Sequence, residues 1–266
     1  MKRLLITGAA GGVGKMARKR LSHLAQSIRI SDIVPMDPIA DNEEAIICDL
    51  ADEATVHALV KDCDGILHLG GVSVEKSYDL IEAANIRGVH NLYEAARMSG
   101  QPRIVFASSN HTIGFYPQTT RLTADMPTRP DGWYGISKVY GEAVAQMYHA
   151  KFGQETAIVR IGSCFERPVD RRMMATWFSY DDFCRLIERV FAVPALGCPI
   201  IWGASANSGG WWDNSHLDWL GWAPEDNSET YRDEIERLPQ RPADAPDVLW
   251  QGGMFTADPV VKSKDC

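Results

Sequence analysis

The sequence lacks the long hydrophobic runs, the closely paired cysteines and the excess of basic charge that mark several large classes of protein. No apolar run approaches the roughly 20 residues that span a bilayer, and the start MKRLLITGAAGG soon turns glycine-rich. We therefore expect a protein that is neither secreted nor embedded in a membrane. The 27 lysines and arginines are outnumbered by 35 aspartates and glutamates, for a net charge of -8. This balance excludes the basic surface of a nucleic-acid-binding protein.

The cysteines give no sign of a disulfide framework or of a metal site. No two cysteines form a CxxC pair. The sequence contains six of them, at Cys48, Cys63, Cys164, Cys184, Cys198 and Cys266. No cluster of histidines or acidic residues has metal-ligand spacing either, so we expect no bound metal. Scattered cysteines are typical of free, structural thiols in a reducing compartment, which predicts a cytoplasmic protein.

Short apolar runs alternate with longer amphipathic stretches over the first 165 residues. Strands are predicted at residues 4–7, 28–33, 45–50, 65–70, 103–109 and 156–163. The helices predicted between them run from the first glycines to about residue 24, over 80–98 and over 134–152. This rhythm predicts an α/β fold, a doubly wound parallel sheet of the Rossmann type, with ligands beyond the carboxyl ends of the strands.

The sequence pattern changes after Arg160. Prolines, tryptophans and irregular segments replace the alternation, although SYDDFCRLIERVFAV still predicts an amphipathic helix. No repeat or low-complexity tract separates the two parts, and 266 residues with 45% hydrophobic side chains suffice for one core. We expect a single domain over 1–266, with 1–165 mainly binding a nucleotide cofactor and 166–266 forming a small substrate-facing elaboration.

A glycine motif lies between the first predicted strand and the first predicted helix. Thr7, Gly8, Gly11 and Gly14 form the pattern TGxxGxxG in LLITGAAGGVG. The first glycine permits a tight turn, the second lets the backbone approach a pyrophosphate, and the third allows close packing of the helix. A plain glycine-rich turn is the alternative, and the flanking strand and helix favour the dinucleotide site.

Acidic residues follow the next two predicted strands. Asp32, next to Ile33, stands 18 residues after the last glycine, where a carboxylate accepts hydrogen bonds from the adenosine ribose. No arginine follows it to neutralise a 2'-phosphate, which favours NAD over NADP; a turn or capping aspartate is the alternative. Asp49 and Leu50 are placed to lie over the adenine, although Asp49 is equally suited to cap a helix beginning near Ala51.

A tyrosine and a lysine occur four residues apart at the start of a predicted helix. Tyr134 and Lys138 therefore share one helix face. An ammonium group lowers the pKa of a neighbouring phenol from about 10, so that Tyr134 can remove a proton from a substrate hydroxyl. Many helices contain YxxxK by chance, but this one follows the dinucleotide motif and lies 25 residues after Ser109 in FASSN.

These motifs resemble the extended short-chain dehydrogenase/reductase family in order and spacing, over about residues 1–165. HLGG at 68–71 and Asn85-x-x-Gly88-x-x-Asn91 belong to the same pattern, and we interpret Asn85 as structural. The resemblance implies that Ser109 holds the substrate oxygen together with Tyr134, and that Lys138 also binds the nicotinamide ribose. The cofactor-binding residues implied are Gly8, Gly11, Gly12, Val13, Gly14, Asp32, Ile33, Asp49, Leu50, Leu69, Gly70, Gly71, Lys138 and Cys164.

Two departures from common members narrow the resemblance. Only about 100 residues follow the sixth strand, which leaves little room for a nucleotide sugar, and the polar run NHTIG follows Ser109. FASSNHTIGFYP, RIGSCF, RRMMATWFS and IWGASAN resemble members of the family that oxidise C1 of free D-galacturonate or D-glucuronate with NAD, giving an aldarolactone. The substrate-binding residues implied are Ser73, Ser109, Asn110, His111, Ser163 and Arg172, with Tyr134 as the base.

Several interpretations stay open at this point. Arg172 suits the hexuronate carboxylate, but Arg167 and Arg171 lie close by, and only the motif selects among them. His111 alternatively fills a buried structural position. The pair Trp211 and Trp212 is expected to pack at the sheet edge rather than on a sugar.

Two other functions compete with hexuronate oxidation. A sugar epimerase or reductase of the same family would use the same serine, tyrosine and lysine. A non-catalytic NAD-sensing regulator would not need Ser109, Tyr134 and Lys138 together, and their joint presence argues against it. We expect a homo-oligomer, and the sequence leaves the preference between galacturonate and glucuronate undecided.

Overall fold

A seven-stranded, fully parallel sheet forms the centre of the protein, as a computed structural model describing residues 1–263 reveals. The strands of the chain are β1 (Arg3–Thr7), β2 (Ser27–Asp32), β3 (Glu43–Ile47), β4 (Gly65–His68), β5 (Arg103–Ser109), β6 (Thr156–Ile161), β7 (Ser163–Cys164), β8 (Trp177–Phe178) and β9 (Ile200–Gly203). The sheet has the order β3-β2-β1-β4-β5-β6-β9, while β7 and β8 pair separately. The predicted Rossmann-type fold is confirmed.

Helices cover both faces of the sheet. They are α1 (Gly12–Arg20), α2 (Glu53–Val60), α3 (Tyr78–Ile81), α4 (Gly88–Met98), α5 (Trp133–Phe152), α6 (Met173–Thr176), α7 (Tyr180–Ala192), α8 (Arg232–Glu236) and α9 (Pro246–Leu249). On one face α1 and α7 bury Ala17 and Leu186 against the strands, and on the other α2, α4 and α5 bury Val56, Leu92 and Ala145. Both faces are therefore dry, as the near-continuous apolar strands predicted.

The connection from β3 to α2 differs in detail from the sequence-based prediction. β3 ends at Ile47, so Asp49 and Leu50 lie beyond it in the turn that leads to α2. Asp52 rather than Asp49 caps α2, with its side chain accepting from Thr55 N, while Asp49 accepts from Ala51 N at 2.9 Å. The alternative that Asp49 caps this helix is therefore wrong, because the cap is Asp52, three residues further along the chain.

The strand β9 was not predicted from the sequence. It is four residues long and is preceded by a proline, so it carries too short an apolar pattern to identify alone. Pairing with β6 places it at the sheet edge, where the ring of Trp202 stacks on Trp212 with centroids 5.2 Å apart. The expected role of Trp212 in sheet-edge packing is thus confirmed.

Within residues 1–263, no helix is both long and apolar enough to cross a membrane. The same residues contain no group of three or more histidine, cysteine or acidic side chains placed to hold a metal ion. The five described cysteines are free thiols, and Cys266 lies outside the described residues.

Candidate active site

The glycine motif forms a tight turn between β1 and α1. Gly8 has a φ of +68°, and a Cβ there would lie 2.6 Å from the backbone of Leu69. A Cβ on Gly14 would lie 2.2 Å from the carbonyl oxygen of Gly8, so only glycine allows α1 to approach the strand this closely. A Cβ on Gly12 would meet nothing within 4 Å, which shows open space beside the first turn of α1. The turn therefore offers helix N–H groups to an anion.

Asp32 lies at the wall of a cavity of about 350 Å³ beyond the carboxyl ends of β1 and β2. Its Oδ2 accepts from Ala10 N at 3.0 Å and its Oδ1 from Ile33 N at 2.8 Å. These bonds orient the carboxylate while each oxygen keeps capacity for a ribose hydroxyl. The predicted residues lining this cavity are Gly8, Gly11, Asp32, Ile33, Asp49, Leu50, Leu69, Gly70, Gly71 and Ser73. Their shape and donor set fit the adenosine half of a dinucleotide.

A second cavity of about 280 Å³ continues from the first, because Gly8, Gly11, Leu69 and Ser73 line both. It brings together further predicted residues, namely Gly12, Val13, Gly14, Ser109, Asn110, His111, Tyr134, Lys138 and Cys164. Burial raises the pKa of the Cys164 thiol, so this cysteine is not a thiolate nucleophile. One groove thus joins the nucleotide turn to the predicted catalytic residues.

Tyr134 and Lys138 lie one turn apart on α5 and are both buried. Lys138 Nζ donates to the carbonyl oxygen of Ala107 at 2.8 Å and lies 5.6 Å from the centroid of the tyrosine ring. Burial lowers the pKa of Lys138 to about 8. Burial also raises the pKa of Tyr134 to about 12, although a hydrogen bond with Ser109 acts in the lowering direction.

The expectation of a lowered tyrosine pKa is therefore wrong for the protein without its ligands. Desolvation of the buried phenolate outweighs the stabilisation that its neighbours provide. Lys138 is buried as well. Because burial lowers its pKa to about 8, a growing fraction of this side chain loses its proton and its charge at alkaline pH.

The turn after β5 places His111 against residues that the sequence did not single out. His111 Nδ1 lies 2.7 Å from Asp131 Oδ2, and its ring stacks on Phe255 with centroids 3.9 Å apart. The ring of Tyr134 lies 5.6 Å away. Asp131 stands three residues before Tyr134, a position without a motif, and Phe255 comes from the far end of the chain.

Arg172 contacts two of the predicted substrate-binding residues, Ser163 and Asn110, and lines a separate cavity together with Asp170, Arg171 and Leu238. Its Nε donates to the carbonyl oxygen of Gln251 at 2.8 Å, and its Nη1 approaches Ser163 Oγ at 3.4 Å. With the amide oxygen of Asn110 turned toward it, Nη2 donates to that oxygen at 2.6 Å. Among the residues that the structure describes, no carboxylate lies within ion-pair distance of Arg172. Burial lowers the pKa of Arg172, while the more distant charges of Asp170 and Asp131 act in the raising direction.

The two neighbouring arginines are engaged elsewhere. Arg171 donates to the backbone carbonyls of Glu236 and Leu238, and Arg167 pairs with Glu234 at 3.5 Å on the surface. Arg172 differs from both in its contacts with Ser163 and Asn110, and its role toward a substrate carboxylate stays a prediction.

The start of α5 is held by Glu75, which the sequence analysis did not identify. The two carboxylate oxygens of Glu75 accept from Trp133 N and Tyr134 N, both at 2.9 Å. A Cβ on Gly132 would lie 2.3 Å from this carboxylate, so the approach requires glycine. Glu75 lies two residues after Ser73, and it therefore ties the loop that passes both cavities to the backbone of Tyr134.

Asn85 has the structural role that we expected. Its amide nitrogen donates to Val72 O and Ser137 Oγ at 2.9 Å, and its oxygen accepts from Val72 N at 2.8 Å. The loop after β4 is thereby fixed to α5 from a second side.

A tyrosine, a lysine and a serine beside a dinucleotide groove are suited to removing a proton from a hydroxyl as a hydride leaves the same carbon. This places the protein among the dinucleotide-dependent oxidoreductases of the short-chain type. The chain belongs to the NAD dependent epimerase/dehydratase family, whose sequence model matches residues 4–177.

Relatives within this family match almost the whole chain. A uronate dehydrogenase of Agrobacterium fabrum is 60% identical over 98% of this chain and 99% of the relative. One from Pseudomonas putida is 53% identical over 95% of each. The crystal structure of a mutant uronate dehydrogenase from Agrobacterium tumefaciens complexed with NAD superposes with a TM-score of 0.97, at 58% identity over 99% and 100% of the two chains. A glucuronic acid dehydrogenase from Chromohalobacter salexigens has a TM-score of 0.95, at 56% identity over 97% of each chain.

Proposed function

We propose that this protein oxidises C1 of a free hexuronate, D-galacturonate or D-glucuronate, to the aldarolactone with NAD as the cofactor. The observation that carries the proposal is Arg172, a partly buried cation without a carboxylate partner among the described residues, next to Ser163 and Asn110. A partly buried guanidinium group without a carboxylate partner favours an anionic substrate. The full-length relatives named uronate dehydrogenases support the same substrate class.

The residues present fit the cofactor. The turn at Gly8 and Gly11 and the first turn of α1 would hold the pyrophosphate, Asp32 the adenosine ribose, and Lys138 the nicotinamide ribose. When bound, NAD supplies the hydride acceptor and a positive charge beside the phenol.

Tyr134 acts as the base toward the anomeric hydroxyl. Ser109 holds the same oxygen and hydrogen-bonds the phenol, while Lys138 places a positive charge one helical turn away. Because burial raises the pKa of Tyr134 and lowers that of Lys138, deprotonation of the phenol relies on positive charge in the filled site. The other hydroxyl groups of the sugar would hydrogen-bond to Ser73, Asn110, His111 and Ser163. The carboxylate of the sugar would bind to Arg172.

The test is NADH formation, followed by its absorbance, with galacturonate, glucuronate, the corresponding neutral aldoses and nucleotide sugars. We expect turnover of the two hexuronates and at most weak turnover of the others. Tyr134→Phe should lower kcat at least about a hundredfold with NAD affinity little changed, since it removes only the acid/base oxygen. NADH formation that is equally fast with neutral aldoses would overturn the substrate assignment, and near-native turnover by the variant would overturn the mechanism.

We also propose a cytoplasmic location and a homo-oligomeric state for this enzyme. The first is supported by the free thiols of the five described cysteines, which suit a reducing compartment. Light scattering of the purified protein tests the second, and a monomer at micromolar concentration would exclude it.

A further inference from the structure

The carboxylate of Asp131 is buried beneath the active site with a histidine as its hydrogen-bond partner. Its side chain is 1% exposed, and Oδ2 lies 2.7 Å from His111 Nδ1. Within residues 1–263, no lysine or arginine forms an ion pair with Asp131. Because an ionised carboxylate only accepts hydrogen bonds, the shared proton resides on Nδ1 of the imidazole.

The surroundings of this pair leave the carboxylate little freedom. A Cβ on Gly114 would lie 1.9 Å from Asp131 Oδ2, and one on Gly252 would lie 2.0 Å from it. The two glycines are joined by a bond from Gly252 N to Gly114 O at 2.9 Å. Two glycines therefore let two chain segments close around the carboxylate, which holds it in one position toward His111.

Of this pair, His111 is the residue that reaches the catalytic cavity. His111 lines this cavity, and Phe255 stacks on one face of its ring. In the part of the chain that the structure describes, Nε2 of His111 has no hydrogen-bond partner. In a neutral imidazole with its proton on Nδ1, Nε2 is an acceptor for a hydroxyl group, such as one of a sugar held in the cavity that His111 lines.

We propose that Asp131 is a positioning residue that keeps the proton of His111 on Nδ1, so that Nε2 accepts a hydrogen bond from a hydroxyl of the hexuronate. The second half of this inference rests on the proposed function, whereas the position of the proton does not. Fixed in this way, His111 distinguishes sugars by the presence of a hydroxyl at one place, since an analogue lacking it leaves Nε2 unpaired.

The position of the proton is measured directly by long-range ¹H–¹⁵N NMR of the full-length protein labelled on histidine, at pH 8.5 without NAD. The His111 signals are identified by their absence from His111→Gln. We expect a protonated Nδ1 and an unprotonated Nε2 whose shift moves when D-galacturonate saturates the site. A proton on Nε2 alone in the free protein would overturn the proposal, whatever the substrate proves to be. An Nε2 shift unmoved by a galacturonate that the enzyme oxidises would overturn the second half.

Kinetics of Asp131→Asn separate positioning from simple structural support. An amide can turn its NH₂ toward Nδ1 and drive the proton to Nε2, which converts the acceptor into a donor. We expect the KM for galacturonate to rise about tenfold or more, with kcat and NAD affinity changed much less. The matched control is Asp125→Asn, an exposed carboxylate in the same loop, which should behave as wild type.

A double variant completes the test. If Asp131 acts through His111, the variant combining His111→Gln with Asp131→Asn should have a KM close to that of His111→Gln alone. Multiplicative losses, or a loss of kcat, NAD affinity and thermal stability together in Asp131→Asn, would show a structural role and overturn the proposal.

Discussion

At the scale of single residues, Asp32 and Arg172, two of the charged side chains that would contact ligand, differ in how they are held. Asp32 is oriented by two backbone N–H groups, and Arg172 by one carbonyl and two neutral side chains. Neither has a charged partner that would have to be displaced, within the residues described. Asp32 is therefore positioned in advance to accept hydrogen bonds from hydroxyl groups, and Arg172 to donate hydrogen bonds to an anion.

Replacing Arg172 with alanine should remove the discrimination between a hexuronate and its neutral aldose. We expect kcat/KM for galacturonate to fall by about a hundredfold or more, because a charge-assisted contact in a partly desolvated place is lost. The value for galactose should change little, and Arg172→Lys should recover only part of the activity, since it lacks the planar fork.

Arg171→Ala is the matched control for this comparison, because Arg171 binds backbone carbonyls at the surface. It should keep the ratio of the two specificity constants. Equal proportional losses on galacturonate and galactose in Arg172→Ala would mean that Arg172 supports the fold or the cofactor instead.

Replacing Asp32 with alanine should change the choice of cofactor. The carboxylate at this wall of the cavity would accept bonds from the ribose hydroxyls and repel a 2'-phosphate. We expect weaker NAD binding and a smaller ratio of kcat/KM for NAD over NADP. A ratio that does not change would place the adenosine ribose away from Asp32.

At the scale of elements, the orientation of α5 decides where the base lies. Tyr134 is the second residue of this helix, where N–H groups have no partner within the helix itself. Glu75 satisfies two of them from the loop after β4, so a helix end, a cofactor loop and the phenol are joined by one carboxylate.

Glu75→Gln should therefore impair catalysis more than it impairs folding. An amide offers one accepting oxygen in place of two and turns an NH₂ toward a backbone N–H, which shifts the start of α5. We expect kcat to fall about tenfold with a loss of about 1–2 kcal/mol in stability. Steady-state kinetics and urea unfolding measure the two effects.

The control for Glu75→Gln is Glu53→Gln, which makes the same change in the first turn of α2, away from the groove. It should leave kcat unaltered. A Glu75→Gln enzyme with native kcat would show that the cap does not position Tyr134.

At the scale of the whole molecule, the parallel sheet buries a histidine beneath the groove. His68 at the end of β4 is 1% exposed. Its Nδ1 atom lies within hydrogen-bond distance, 2.8 Å, of Thr7 Oγ1, which also accepts from Gly70 N. The Nε2 atom is buried without a hydrogen-bond partner in the described part of the chain. Burial, together with the charge of Lys138, lowers the pKa of His68 to about 3.

This histidine should make the fold sensitive to mild acid. The unfolded chain takes up the proton near pH 6.5 while the native protein resists it down to about pH 3, so stability falls as the pH drops through this window. From pH 7.5 to pH 5 the loss due to His68 is about 2 kcal/mol. His68→Gln, measured by urea unfolding at both pH values, should lack this part of the loss.

The exposed His90 provides the comparison for His68. His90→Gln should retain the full acid sensitivity of the wild type. If His68→Gln loses as much stability between the two pH values as His90→Gln does, the buried histidine is not the cause.

The sequence alone determined the parallel α/β fold, the nucleotide turn at Gly8 to Gly14 and the pairing of Tyr134 with Lys138. These features depend on short-range geometry: the spacing of apolar residues, a turn joined to a helix, and two side chains one helical turn apart. The carboxyl ends of parallel strands meet at one edge, so the motifs that follow them converge without further information.

Only the tertiary structure decided which residues surround and hold these groups. The bonds of Glu75 to the start of α5, of Asp131 to His111 and of Gln251 to Arg172 join residues that no repeating pattern relates. The raised pKa of Tyr134 likewise came from burial, which the YxxxK spacing does not report. Contacts between distant segments depend on how loops close over the sheet, and a local pattern carries no record of that closure.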